Sequence, residues 1–218
     1  MSFWTKKPPA PAPRDWRDRA ARLPSLFVPG AELPGKREPI ALRRSEVGEL
    51  TLPTGRIVTG DAIATLDFAP FTRVAPTGVF PVDVAIAQLW ADVAQIAAVR
   101  IAFSQAPIAS WELATGGTGG ATASPDGTAG YTATLALLAD AQAVPRFAAY
   151  VDGSASGEWW YDVAFTEGKG WRHACFAPDA TQQETCVLVS TGEGVLASYW
   201  GLDAAGAPVA LITDFNAI

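Results

Sequence analysis

Short β-prone segments, separated by glycine, proline and aspartate, dominate the chain from Ile40 onwards. Alternating apolar residues such as Val82, Val84 and Ile86 are typical of a strand that buries one face. Short strands that follow one another through turns pair most readily as antiparallel neighbours. The sequence therefore predicts an α+β fold that is mainly antiparallel β-sheet.

Two helices are predicted within this β-rich pattern. In "RDWRDRAARL", Trp16, Ala20 and Leu23 fall on one side, which predicts a short N-terminal helix. The segment "TATLALLADAQAVPRFAAYVDG", residues 132–153, is rich in alanine and leucine and predicts the principal mid-chain helix. Pro145 is expected to break or kink that helix.

Two hairpins are also predicted. The first lies in residues 48–67, "GELTLPTGRIVTGDAIATLD", around a turn at residues 53–55. The second is "YWGLDAAGAPVALITDF", residues 199–215, with a turn from Asp203 to Gly206. Aspartate bonds the backbone ahead of it and glycine supplies a positive φ, so this segment has ordinary turn chemistry.

Charge divides the chain into two predicted units. Residues 1–45 form a basic, Pro-rich arm with a net charge of +6, and residues 46–218 form a single acidic domain with a net charge of −12. Such a body would repel phosphates, so no nucleic acid is expected as a ligand. An acidic surface suits a basic protein partner. Alternatively, the arm folds back over its own acidic body.

The compartment can also be predicted from the sequence. No apolar run reaches the roughly 18 residues that span a bilayer, so no membrane association is expected. The first residues lack the apolar stretch of a secretory signal, so a cytoplasmic location is expected. Cys175 and Cys186 are predicted to be buried, reduced thiols.

Carboxylates near turns, and adjacent aromatic residues, are the candidates for a site. An acid in such a position can contact an ion, contribute to a carboxylate-dependent hydrolase or serve the turn itself. In an extended chain adjacent aromatic side chains point to opposite faces, so at least one of them is expected to be exposed or covered by the arm. The candidate residues are Asp61, Asp126, Glu193, Asp203, Asp214, Trp159 and Trp160. Six tryptophans lie in strand-like runs, and most are expected in the core: Trp90, Trp111, Trp159, Trp160, Trp171 and Trp200.

No cofactor and no metal are expected. The glycine-rich segment 116–130 has no lysine at its end, which excludes a P-loop. One histidine and two cysteines have no paired spacing for zinc. His173 and Cys175 share a face if they lie on a strand, so a catalytic dyad is an alternative to an ordinary packed pair.

Several stretches in order resemble a bacterial family of unknown function, the domain of unknown function 4241. They cover most of residues 48–215 and leave the basic arm outside. The stretches are "LPTGRIVTGDAIATLDFAPF", "APTGVFPVDVAIAQ", "AAVRIAFSQAPIASWELA", "DGTAGY" and "STGEGVLASYWGLDAAGAPVALITDF". The resemblance names no chemistry, but small acidic bacterial proteins of this kind often accompany secreted toxins as immunity proteins.

Three functional hypotheses follow. The favoured one is a non-enzymatic, immunity-type module that neutralises a basic partner, such as a secreted toxin, through an acidic surface. The second is a carboxylate-dependent hydrolase. The third is an assembly module whose arm docks onto a neighbouring subunit of a homo-oligomer.

Overall fold

A computed structural model describes most of the chain. The described residues are 16–35, 38–63, 69–90, 93–116, 122–123, 129–154, 173–178, 185–190 and 195–215. They form two antiparallel β-sheets with two short α-helices, which confirms the predicted α+β class.

The larger sheet has nine strands in the order β1-β2-β4-β5-β13-β12-β8-β7, and β6 also pairs with β12. Its strands are β1 (Glu32–Leu33), β2 (Ile40–Leu52), β4 (Gly78–Trp90), β5 (Val93–Ala102), β6 (Ser110–Leu113), β7 (Thr122–Ala123), β8 (Ala129–Thr132), β12 (Val195–Leu202) and β13 (Pro208–Asp214). The smaller sheet has the order β10-β11-β9-β3. Its strands are β3 (Ile57–Asp61), β9 (Leu135–Asp140), β10 (His173–Phe176) and β11 (Cys186–Ser190).

The short N-terminal helix is confirmed as α1 (Trp16–Arg22). A 3₁₀ helix, Leu23–Phe27, follows directly, with Pro24 in its first turn. Ala20 and Leu23 are buried against alanines and Ile212 on one face of the larger sheet. The predicted boundary between residues 45 and 46 falls inside β2, so the two predicted units share one strand.

The predicted extent of the mid-chain helix is wrong. Residues 135–140 form β9, and the helix α2 (Val144–Asp152) begins only after a 3₁₀ turn, Ala141–Ala143. All six residues of β9 are buried, because the strand lies between β3 and β11 and has apolar neighbours on both faces. Burial on both faces removes the alternation that marks a strand, and helix propensity is too weak to outweigh that burial. Pro145 lies in the first turn of α2, where proline fits a helix.

The predicted hairpin around residues 53–55 is also wrong. β2 pairs with β4 in the larger sheet and β3 pairs with β9 in the smaller one, so the Pro53–Gly55 turn joins two sheets. The hydroxyl of Thr54 donates to Asp140 Oδ1 at 2.6 Å, and its amide donates to Oδ2 at 3.0 Å. These bonds connect the turn to the end of β9 and carry the chain into the smaller sheet.

The hairpin at residues 199–215 is confirmed as β12 and β13. Asp203 Oδ1 accepts hydrogen bonds from the amides of Ala205 and Ala207, at 2.8 and 2.9 Å. Gly206 has a φ of 82°, which favours glycine. The turn therefore forms by the chemistry that its sequence predicts.

Four layers stack around three apolar clusters: the N-terminal segment, the larger sheet, the smaller sheet and α2. One face of the larger sheet packs on the smaller sheet. The 3₁₀ helix and α1 cover part of the other face, and α2 covers the outer face of the smaller sheet through Phe147. Trp200 lies in the core between the sheets, with its ring centroid 6.1 Å from that of Phe71 and 5.9 Å from that of Phe103. Its predicted burial is confirmed.

The Ile108 side chain lies close to Gly201 of β12, and this contact leads to a stability prediction. A Cβ atom at Gly201 would lie 2.7 Å from Ile108 Cδ1. We expect Gly201→Ala to lower the free energy of unfolding by about 1–3 kcal/mol, because overpacking displaces Ile108. Ile108→Val removes Cδ1 and should recover part of that loss. A double-mutant cycle in chemical denaturation measures this coupling, and strict additivity of the two changes would contradict the contact.

Candidate functional site

The structure places three of the candidate acids, and it does not bring them together. Asp61 ends β3, Asp203 begins the β12–β13 turn and Asp214 ends β13. Asp203 lies in the turn before the seven-residue strand β13 and Asp214 ends that strand, which separates them by roughly 20 Å. Paired carboxylates in glycoside hydrolysis lie about 5–9.5 Å apart, so these two acids do not form such a pair. The other candidates, Asp126, Glu193, Trp159 and Trp160, lie outside the described residues.

Asp61 serves the backbone, as Asp203 does. Its Oδ1 accepts from the amide of Ile63 at 2.9 Å, and its Oδ2 accepts from the amide of Thr134 at 3.1 Å. The carboxylate therefore joins the end of β3 to the segment that enters β9. This is turn chemistry, the alternative that the sequence pattern allowed for acids at such positions.

Asp214 binds a partner from the N-terminal segment. Its side chain is fully buried, and Arg19 Nε of α1 donates to its Oδ2. A buried carboxylate requires such a partner, because an uncompensated charge in the core is very costly. Arg19 was not singled out from the sequence. Its position next to the buried face of α1, beside Ala20, is the pattern that could have indicated it.

A second buried acid, Asp83 of β4, was missed by the sequence analysis. Its Oδ1 accepts from Arg44 Nε at 2.8 Å, and its Oδ2 accepts from Arg100 of β5 at 2.7 Å. Asp83 and Arg100 are directly opposed across the two strands. Each is the lone charged residue in an otherwise apolar stretch, "PVDVAIA" and "AAVRIAF", which is the pattern that could have revealed the pair.

The two buried acids account for part of the unusual charge layout. Arg19 and Arg44 both belong to the basic segment 1–45, and each binds an acid of the acidic body. Residues 16–33 also pack on the sheet of their own chain. Within the described residues the arm therefore folds back over its own body, which is one of the two arrangements considered from the charges.

His173 and Cys175 do share a face, since they lie two residues apart on β10. The thiol of Cys175 donates to the carbonyl oxygen of Glu49 at 3.2 Å. Burial raises the pKa of the Cys175 thiol and outweighs the opposing effect of the hydrogen bond with the Glu49 backbone. An activated nucleophilic cysteine has a lowered pKa instead, so the thiol has the properties of a structural residue.

The tip of the β4–β5 hairpin carries exposed apolar side chains. The exposed fraction is 70% for Trp90 and 42% for Val93, which face each other across the two strands. The expectation of a core position is therefore wrong for Trp90. The sequence pattern of a strand does not indicate whether a residue at the end of a hairpin is exposed.

A cavity of about 210 Å³, lined by Gln95 and apolar residues, lies on the same side as this tip. Gln95 lines it and lies two residues after Val93, so the two side chains point to one face of β5. We call Trp90, Val93 and this cavity the hairpin-end surface. The cavity lining is Leu33, Ile40, Ala87, Leu89, Gln95, Ile96, Ala97 and Phe215.

Comparison with known proteins assigns a family. The family described as "Protein of unknown function (DUF4241)" matches residues 50–213, which is most of the chain. The chain belongs to this family. The match confirms the resemblance found from the sequence and leaves the first forty-nine residues outside. No curated protein and no solved structure matches the chain.

In the described part of the chain, no helix combines the length and the apolar character needed to cross a bilayer. The same residues contain no group of three or more histidine, cysteine, aspartate or glutamate side chains placed to hold a metal ion.

The ion pair between Arg19 of α1 and the buried Asp214 of β13 leads to a second prediction. Arg19→Met leaves the Asp214 carboxylate without its guanidinium, and we expect the free energy of unfolding to fall by about 1–3 kcal/mol. Arg22→Met on the exposed side of α1 is the matched control, and it should change that free energy by less than about 0.5 kcal/mol. Chemical denaturation of both variants provides the comparison. Equal effects would contradict a specific role for Arg19.

A third prediction concerns thiol reactivity. At a given pH the raised pKa leaves less thiolate at Cys175 than at an exposed cysteine, so alkylation by iodoacetamide should be slower. The rate should rise with pH, with its inflection above that of an exposed thiol. Peptide mapping by mass spectrometry separates Cys175 from Cys186. The difference should vanish in denaturant, and an inflection shifted to lower pH in the folded protein would contradict the assignment.

Proposed function

We propose that this protein is a non-enzymatic binding module of the immunity type, which neutralises a basic toxin in the cytoplasm. The observation that carries the proposal is Trp90, a large aromatic side chain exposed to 70% at the tip of a hairpin. Tryptophan is among the residues most enriched in binding hot spots. In the isolated protein this apolar ring is in contact with water, which is unfavourable, and a partner that covers the ring would remove that cost.

The shape of the hairpin-end surface supports a protein partner. The tip is held in place by the pairing of β4 and β5 along nearly the whole of both strands. The side chains are thus positioned before binding, which reduces the entropy lost on association. The adjoining 210 Å³ cavity offers room for one apolar side chain of the partner. An exposed aromatic anchor beside a cavity is typical of a protein interface.

Charge supports a basic partner. Glu46, Glu49 and Asp152 are exposed acids, while Arg19 and Arg44 are bound to buried acids. The arm therefore does not use those two guanidinium groups to neutralise the exposed acids. An acidic surface accelerates association with a basic protein, and that acceleration falls as salt is added.

The test uses the product of the neighbouring gene as the partner. We expect the two proteins to form a complex and expect co-expression to restore growth of cells that make the toxin. Trp90→Ala should weaken binding by about tenfold or more, whereas Val74→Ala, which truncates a side chain exposed to 55%, should change binding by less than about twofold.

Titration calorimetry measures both affinities, and thermal unfolding verifies that each variant is folded. The absence of both a complex and growth rescue would overturn the immunity function. If the partner binds Trp90→Ala as tightly as the original protein, the role of the hairpin-end surface is overturned.

A further inference from the structure

A second, larger cavity lies on the same face of the larger sheet, near the other ends of β5 and β13. Its volume is about 390 Å³, at the lower end of the range of about 300–1,000 Å³ found for small-molecule sites. Its walls come from the 3₁₀ helix, the end of β5, the loop that follows β5 and the start of β13. The lining residues are Pro24, Arg100, Ala102, Ser104, Gln105, Ala106, Ile108, Val209, Ala210 and Ile212.

Arg100 is the charged residue in this lining. One of its terminal nitrogens donates to Asp83 Oδ2 at 2.7 Å, and its Cζ lies 4.5 Å from the centre of the Phe27 ring. These contacts hold the guanidinium plane beside the cavity. Within the described residues its Nε atom is buried and has no hydrogen-bond partner, so the donors of this side chain are only partly satisfied.

Arg100 lies beside a buried acid that it shares with a second arginine. The single carboxylate of Asp83 is shared by the guanidinium groups of Arg100 and Arg44. Arg44 is half exposed, whereas the side chain of Arg100 is exposed to only 22%. A partly desolvated guanidinium is stabilised by an anion beside it. Among the described residues no acid lines the cavity itself.

The remaining walls determine the rest of the ligand. Ile108, Val209 and Ile212 present apolar surface, while Ser104 and Gln105 place polar groups at the exposed end of the loop. The planar guanidinium of Arg100 matches a carboxylate in geometry. The favoured ligand class is thus a carboxylate with an apolar body.

We propose that this cavity binds a small organic monocarboxylate. The carboxylate lies at the guanidinium of Arg100, and the apolar body contacts Ile108, Val209 and Ile212. This site is separate from the hairpin-end surface, so it adds a ligand to the protein partner of the proposed function and does not depend on it.

Binding can be tested with matched probes on the full chain. The probes are hexanoate, benzoate and 4-phenylbutyrate, each compared with the alcohol and the amine of the same carbon skeleton. We expect at least one carboxylate to shift the backbone amide NMR signals of residues 102–106 with saturation. The matching alcohol and amine should bind more weakly than the carboxylate by a factor of about ten or greater.

Two variants locate the binding. Ala102→Leu, at the partly exposed end of β5, fills part of the cavity and leaves Arg100 and Asp83 in place, so it should abolish saturable binding. Arg100→Lys keeps the charge but loses the planar fork, and it should weaken binding by about tenfold. Arg56→Lys, an exposed arginine in another part of the chain, is the matched control and should bind as the original protein does.

The proposal would be overturned if no carboxylate in the panel binds, or if the alcohols bind as tightly as the carboxylates. It would equally be overturned if Ala102→Leu leaves binding unchanged. Should Arg100→Lys fail to fold, the comparison of probe charges together with Ala102→Leu still decides the question.

Discussion

The larger sheet packs on the smaller sheet with one face and is partly covered by the N-terminal segment on the other, and this constraint determines most of the structure. The face toward the smaller sheet can be wholly apolar, and Val82, Val84 and Ile86 point into it. The opposite face is covered by a segment of only about twenty residues, too short to hide it with apolar side chains alone. Polar groups on that face must therefore pair with groups from the covering segment or from neighbouring strands, as Asp83 and Asp214 do.

These ion pairs specify position more than they add stability. Transfer of two charges out of water costs about as much as their attraction returns, whereas loss of one partner is strongly destabilising. An alternative placement of α1 would separate Arg19 from Asp214 and leave a buried charge uncompensated. Apolar contacts such as those of Leu23 and Phe27 supply the burial, and the charged groups select one arrangement of the segment on the sheet. That arrangement also forms one wall of the cavity beside Arg100.

The elements predicted correctly are those whose local pattern matches their environment. α1 has one buried side, and β12–β13 has a turn that its own residues determine. The errors arise where distant contacts decide. Residues 135–140 lost their alternation because both faces are buried, and the chain after Pro53 continues into another sheet because β9 provides its partner. The candidate acids were found by residue type, but their roles depend on amides and arginines far away in sequence, such as Arg19 for Asp214.

The same reasoning separates structural charges from those available to a ligand. Asp61, Asp203 and Asp214 each have at least one carboxylate oxygen bound within the chain, where it serves the backbone or an ion pair. Arg100 differs, because it shares its carboxylate with a second arginine and faces a cavity. Trp90 also differs from the structural residues, because its apolar ring is exposed to solvent. These two residues lie near opposite ends of the β4–β5 hairpin, so substitution of either one leaves the surroundings of the other intact.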